Sequence, residues 1–128
     1  MRRNFRLPEE DERHLNARGL PWEALTEGGA NWVLLHEFPV PPGYNYPNVM
    51  AAIRIEAAYP PGKLDMVYFF PSLVRAGGQA INGLSDQPLD GKTFQRWSRH
   101  YEWLELEHDL STHISCVEHW LQSELLKR

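Results

Sequence analysis

Short apolar runs separated by clusters of proline and glycine constrain this chain more than any other feature. Trp22–Glu27 and Asn31–Phe38 read as strands flanking Gly28-Gly29, a two-residue turn signal. Val49, Ala51, Ile53 and Ile55 alternate along one face of a third strand. Met66–Phe70 makes a fourth, whose unbroken apolar run suits burial on both faces. Pro39, Pro41, Pro42, Gly43 and Pro47 separate the second strand from the third, and Pro60, Pro61 and Gly62 separate the third from the fourth. A parallel crossover normally carries a helix, which these proline-rich links do not encode. An antiparallel meander is therefore expected.

Helical signals bracket the meander. Pro8 to Arg18 reads as a helix: Pro8 suits the first turn, Glu9 to Glu12 suit the positive end of the dipole, and Gly19 stops it. Asp109 caps a last helix with Leu110, Ile114, Val117, Leu121 and Leu125 on one stripe. Between Pro71 and about Glu107 no period holds, and glycines 77, 78, 83 and 91 with Pro88 interrupt the chain repeatedly. Residues 71–107 are read as an irregular segment, and long segments of that kind commonly carry function. The fold class is α+β, and the 128 residues are read as one domain spanning 1–128. With 42% hydrophobic residues and five each of Trp, Tyr and Phe, disorder is excluded.

Charge and cysteine content narrow the function. The net charge of −4 argues against a nucleic-acid surface. Arg2, Arg3 and Arg6 precede Glu9 to Glu12 without an apolar stretch, so residues 1–6 read as a flexible basic tail, not a signal peptide. A contact of these arginines with an acidic partner is the sharper alternative. No window is long and apolar enough for a membrane span, so no membrane partner is expected. One cysteine, Cys116, precludes an internal disulfide and fits a reducing, cytoplasmic setting.

The order of elements is similar to that of ubiquitin-conjugating enzymes. Tyr59-Pro60-Pro61-Gly62, ahead of the fourth strand, resembles that superfamily's Tyr-Pro-x-x-Pro turn. The block Gly91-Lys92-Thr93-Phe94-Gln95-Arg96-Trp97-Ser98-Arg99-His100 resembles a bacterial branch, the prokaryotic ubiquitin-conjugating-like "family E". Leu7-Pro8-Glu9-Glu10-Asp11 and Phe38-Pro39-Val40-Pro41-Pro42-Gly43-Tyr44 resemble it too, and the likeness runs from about Leu7 to Leu126. The resemblance implies a role in bacterial ubiquitin-like conjugation, in a conjugation or antiphage-defence type of operon. Its implied partners are a ubiquitin-like protein, an adenylating activating enzyme and a JAB-type peptidase. It also implies an active site in the irregular segment.

The resemblance implies a His-Pro-Asn triplet and a cysteine soon after the fourth strand, because a thiolate is both a good nucleophile and a good leaving group. Counting from Pro61 puts that slot near Ala80, Ile81 and Asn82, and neither the triplet nor a cysteine is there. Cys116 lies mid-helix, four residues before Trp120, and reads as a small core hydrophobe.

Ser98 and His100 are the alternative. Two residues apart in an extended segment, they face one way and can share a hydrogen bond, as a weak hydroxyl nucleophile requires. An oxyester on Ser98 with His100 as general base is expected, with Arg96 and Arg99 orienting the acyl end and Asn82 donating to an oxyanion. Ser85, beside Asp86, is the runner-up nucleophile. Ser98 and His100 also have a purely structural reading, tying the long segment to the core. The six histidines read as scattered and exposed, so no metal is expected, and no glycine pair sits in a phosphate-loop context, so no cofactor is. Two further readings stay open: an inactive scaffold of the same fold that binds ubiquitin-like proteins, and a general interaction module of the related RWD type.

Overall fold

A computed structural model describes residues 1–60, 62–104 and 107–128. Pro61 of the Tyr-Pro turn and residues 105 and 106 lie outside the described residues. The elements run α1 (Glu9–Ala17), β1 (Trp22–Glu27), β2 (Ala30–Pro39), β3 (Asn48–Ile55), β4 (Val67–Phe70), β5 (Leu84–Leu89), β6 (Lys92–Trp97) and α2 (Leu110–Leu125). The layout is the expected α+β one, helix then antiparallel sheet then helix.

The strand count needs correction. Among the described residues the sheet has six strands in the order β1-β2-β3-β4-β6-β5, every pairing antiparallel. The two additional strands lie inside the segment read as irregular. Leu89 pairs with Lys92 around Asp90-Gly91, whose φ values of 52° and 73° both lie in the left-handed region that a two-residue hairpin turn demands. Pro88 does not break β5, because β5 is the sheet's edge and a proline there forfeits no ladder bond.

Alternation along the strands divides the buried side chains between two faces. Val33, Leu35, Ala51, Ile53, Phe69 and Trp97 pack with Leu15 of α1 and with Leu110, Ile114, Val117 and Leu121 of α2. Leu25, Trp32, Leu34, Ala52, Tyr68, Leu89 and Phe94 form a second cluster on the face the helices leave open. That face is covered by the sheet's own curl. The Asp90 amide donates to the Glu27 carboxylate at 3.1 Å, joining the β5–β6 turn to β1 at the other end of the sheet.

The N-terminal residues complete this closure. Arg2 reaches Glu23 of β1 at 2.8 Å and Asp90 at 2.7 and 2.9 Å. The Arg2 carbonyl and the Asn4 amide bond to the backbone of Ala24, and Arg3 stacks on the Trp22 ring at 3.4 Å. Arg2, Arg3 and Asn4 are thus docked on β1, where the sequence suggested a flexible tail. Arg2 meets acidic groups of the chain itself, Glu23 and Asp90, and Arg6 meets Glu12.

The Tyr-Pro turn braces the two helices. The Tyr59 hydroxyl donates to the buried Asp11 carboxylate of α1 and accepts from the Leu110 amide, at 2.9 Å, at the start of α2. Asp109 caps α2 through the Thr112 amide at 3.1 Å, with Thr112 answering back to the Asp109 amide.

Candidate functional site

Strand β6 pairs with β4 and ends at Trp97, and the four residues after it are held individually. The Ser98 amide donates to the Gly83 carbonyl at 2.9 Å, and the Arg99 guanidinium donates to the Asn82 carbonyl at 3.0 Å. The end of the slot that counting assigns to a conjugating enzyme's nucleophile, Asn82 with the Gly83 that follows it, therefore lies against Ser98 and Arg99. Gly83 has φ 75°, and a Cβ there would meet the Arg99 guanidinium at 3.0 Å, so this close approach needs glycine.

Arg99 turns inward. Its guanidinium bonds Glu124 of α2 at 3.1 Å and lies 5.0 Å from the Trp97 ring centroid. Glu124 is buried at 3% exposure and also meets Lys127, so Arg99 is the internal partner of a buried carboxylate. Ser98 is half-exposed, not a core residue.

His100 is exposed, and its Nδ1 lies 2.8 and 2.9 Å from the two oxygens of Asp65, just ahead of β4. No hydrogen bond joins Ser98 to His100. Between them the Arg99 carbonyl accepts from the Met66 amide at 3.1 Å. Met66, with φ 59°, also offers its carbonyl to His113 Nε2 at 2.7 Å, while His113 Nδ1 accepts from the Tyr101 hydroxyl at 2.8 Å. Segment 98–101 is therefore pinned to β4's leading end and to α2 at successive residues.

The remaining candidates fall around this segment unevenly. Arg96 pairs across the sheet with Ser85 and Tyr68, and its Nε approaches the Met66 sulfur at 3.1 Å. Asn82 is exposed, with its backbone engaged by Arg99. Ser85 is exposed on edge strand β5. A groove of about 350 Å³, lined by Leu73, Val74, Ala80, Ile81 and Leu84 among others, opens between the loop after β4 and that edge.

Cys116 is half-buried on α2, and burial pushes its thiol above the usual range, opposite to what an activated nucleophile needs. The picture of exposed histidines fails at His113. It is fully buried, both ring nitrogens are bonded, and desolvation lowers its pKa to about 4. His36 is also engaged, with Nε2 at 2.6 Å from Glu23. Among the described residues no three metal-ligating side chains converge, and no helix is long and apolar enough to cross a membrane.

Sequence reasoning missed Asp65 and the pairing of Tyr101 with the buried His113. Asp65 lies far from His100 in the chain, and only the pairing of β4 with β6 brings them together. His113 sits on the buried stripe of α2, one residue before Ile114, and that position was its available signal.

An N-terminal helix on an antiparallel sheet, a tyrosine–proline turn ahead of β4, a long connection after it and a C-terminal helix define a ubiquitin-conjugating-like fold. The block that ends in Ser98, Arg99 and His100 sits where β6 leaves that sheet. The chain belongs to prokaryotic E2 family E, whose model matches residues 7–124. Membership carries with it a general role in ubiquitin-like conjugation, beside a ubiquitin-like protein and its activating enzyme. Searches of the curated proteins and of the solved structures returned no significant match.

Proposed function

We propose that this protein carries the C-terminus of a ubiquitin-like partner as an oxyester on Ser98, with His100 as general base. The observation that carries this reading is the contact of Ser98 and Arg99 with Gly83 and Asn82, at 2.9 and 3.0 Å. On this reading the Ser98 hydroxyl takes the part of the thiol that the counted slot beside Gly83 lacks. Half-exposure leaves Ser98 open to an incoming acyl group, and the raised thiol of Cys116 weighs against a relocated cysteine. Asn82 remains the candidate donor to the oxyanion. Arg96 and Arg99 are weaker candidates for that task, since Arg99 is committed to Glu124 and Arg96 approaches Met66. Ser85, on the sheet edge, is the reserve nucleophile.

In the reaction, the Ser98 oxygen bonds to the activated carbonyl carbon as the bond to the activating enzyme's leaving group breaks. The hydroxyl proton passes to His100 and then to the leaving group. An oxyester is less reactive than a thioester, so transfer to an acceptor amine is slow without a partner's help. The partners of this reading are the ubiquitin-like protein, an adenylating activating enzyme and a JAB-type peptidase that reverses the conjugation, in a cytoplasmic setting.

The missing Ser98–His100 hydrogen bond favours a second reading, an inactive scaffold that binds the ubiquitin-like partner without acylation. Intact mass after incubation with that partner, its activating enzyme and ATP separates the two. The expected result is an adduct that hydroxylamine removes and that Ser98→Ala abolishes. Binding without an adduct supports the scaffold, and an adduct lost in Cys116→Ala but kept in Ser98→Ala moves the nucleophile to the thiol.

A further inference from the structure

We propose that Asp65 is the positioning residue of this site, fixing the tautomer and orientation of His100 so that Nε2 faces outward as the base. The inference rests on the reading of Ser98 and His100 as nucleophile and base, and it assigns the third member of that arrangement. Both Asp65 oxygens lie within hydrogen-bond distance of His100 Nδ1, at 2.8 and 2.9 Å. A carboxylate accepts but does not donate, so Nδ1 carries the proton. Nε2 is then left with a lone pair, and among the described residues no other side chain or backbone group bonds to it. An imidazole held at Nδ1 by a carboxylate and free at Nε2 is the geometry by which a serine hydroxyl loses its proton.

The surroundings fix the carboxylate in turn. Asp65 is only 21% exposed as a side chain, and Lys63 Nζ lies 3.8 Å away. Asp65 is one residue ahead of Met66, whose amide and carbonyl are bonded to Arg99 and to His113. The other charged or titratable groups nearby are turned elsewhere: Arg99 to Glu124, Arg96 to the Met66 sulfur, and the Tyr101 hydroxyl to His113. Among the described residues Asp65 is thus the anion that His100 meets, and it approaches from a different stretch of chain than the Ser98–His100 block.

In the step concerned, the Ser98 oxygen bonds to the acyl carbon of a thioester while the carbon–sulfur bond breaks. The proton moves from Oγ to His100 Nε2 and on to the departing thiolate. As that proton arrives, the ring becomes cationic and Asp65 stabilises the charge. With Asp65→Asn the amide N–H can donate to Nδ1 instead, which shifts the ring to the Nε2–H tautomer and removes the base.

Two measurements on the full chain test this. Nitrogen-15 NMR of the His100 ring is expected to report the Nδ1–H tautomer in the wild type and a shift toward Nε2–H in Asp65→Asn. Acylation by N-acetyl-glycylglycine phenyl thioester, followed by intact mass, is expected to slow about 10- to 100-fold in Asp65→Asn. That loss is smaller than for a fully buried triad carboxylate because His100 is exposed. Asp65→Glu should restore most of the rate.

A wild-type ring in the Nε2–H tautomer overturns the proposal without any variant. So does an unchanged rate and pH profile in Asp65→Asn while Ser98→Ala abolishes acylation, and in that case the nucleophile reading survives. If Ser98→Ala acylates like the wild type, the nucleophile reading fails by itself, and the ring tautomer still decides whether Asp65 positions His100.

Discussion

His113, beside the site, carries a burial cost that varies with pH. It is fully buried, and desolvation lowers its pKa from 6.5 to about 4 despite the hydrogen bond to Met66. The sign follows directly. Between those two values the unfolded chain binds a proton that the folded chain refuses, so stability is full above about pH 6.5 and falls as pH drops toward 4. At about 1.4 kcal/mol per unit, the loss across that window is on the order of 3 kcal/mol. Urea titrations at pH 7.0 and 4.5 are expected to record most of that loss in the wild type. His113→Gln, which keeps an N–H for the Met66 carbonyl, should be less stable at pH 7 and should lose most of the pH dependence in this window. An equal slope in the two proteins would place the acid sensitivity elsewhere. Composition suggested scattered, solvated histidines because a histidine on an amphipathic helix gives no sign of which flank it takes. Its neighbour Ile114 is on the core stripe, and that adjacency carried the information.

Among the elements, the β5–β6 hairpin divides what was legible from what was not. The first four strands could be read because each has apolar alternation or a continuous apolar run, and because Gly28-Gly29 and the prolines mark their ends. Strand β5 lacks that signal: Leu84, Ser85 and Asp86 are exposed, and Pro88 reads as a breaker until the strand is known to lie at an edge. Asp90-Gly91 was the overlooked cue, flanked by six residues on each side. The consequence reaches the site, since β6 carries Ser98 at its end and β5 leads back to Gly83. Gly91→Ala introduces a side chain at φ 73° with no atom nearby to clash, so backbone strain alone costs about 1 kcal/mol. Gly91→Asn should cost less, because asparagine tolerates the left-handed region. Chemical denaturation of the three proteins should rank wild type, Asn, then Ala. Hydrogen exchange should quicken first across the Leu84–Trp97 pairing. If Ala equals the wild type, the turn geometry assigned here is wrong.

At the scale of the molecule, closure of the sheet depends on a residue that composition assigns to solvent. Arg2 holds Glu23 of β1 and Asp90 of the β5–β6 turn, elements at opposite ends of the strand order, and so encloses the cluster of Trp32, Leu34, Tyr68 and Phe94. A basic tail followed by an acidic run looks self-neutralising in sequence, and Arg6 with Glu12 does form such an ion pair, but Arg2 does not join it. Arg2 is 39% exposed, so solvent screens the pair and Arg2→Ala is expected to cost about 1 kcal/mol, less at high salt. Its effect on pH dependence is sharper. Hydrogen bonding from Arg2, above all, holds the Glu23 pKa at about 2, below its usual 4.5. A depressed carboxylate contributes stability above its unfolded value and loses it as pH falls toward the folded one, so this contribution fades from about pH 4.5 downward. Arg2→Ala should flatten that acid limb, and exchange should rise together in β1 and in the β5–β6 turn, which are remote in sequence. A rise confined to β1 would mean that Arg2 only anchors the N-terminus and that the curl of the sheet is held by the Asp90–Glu27 contact and the apolar cluster alone.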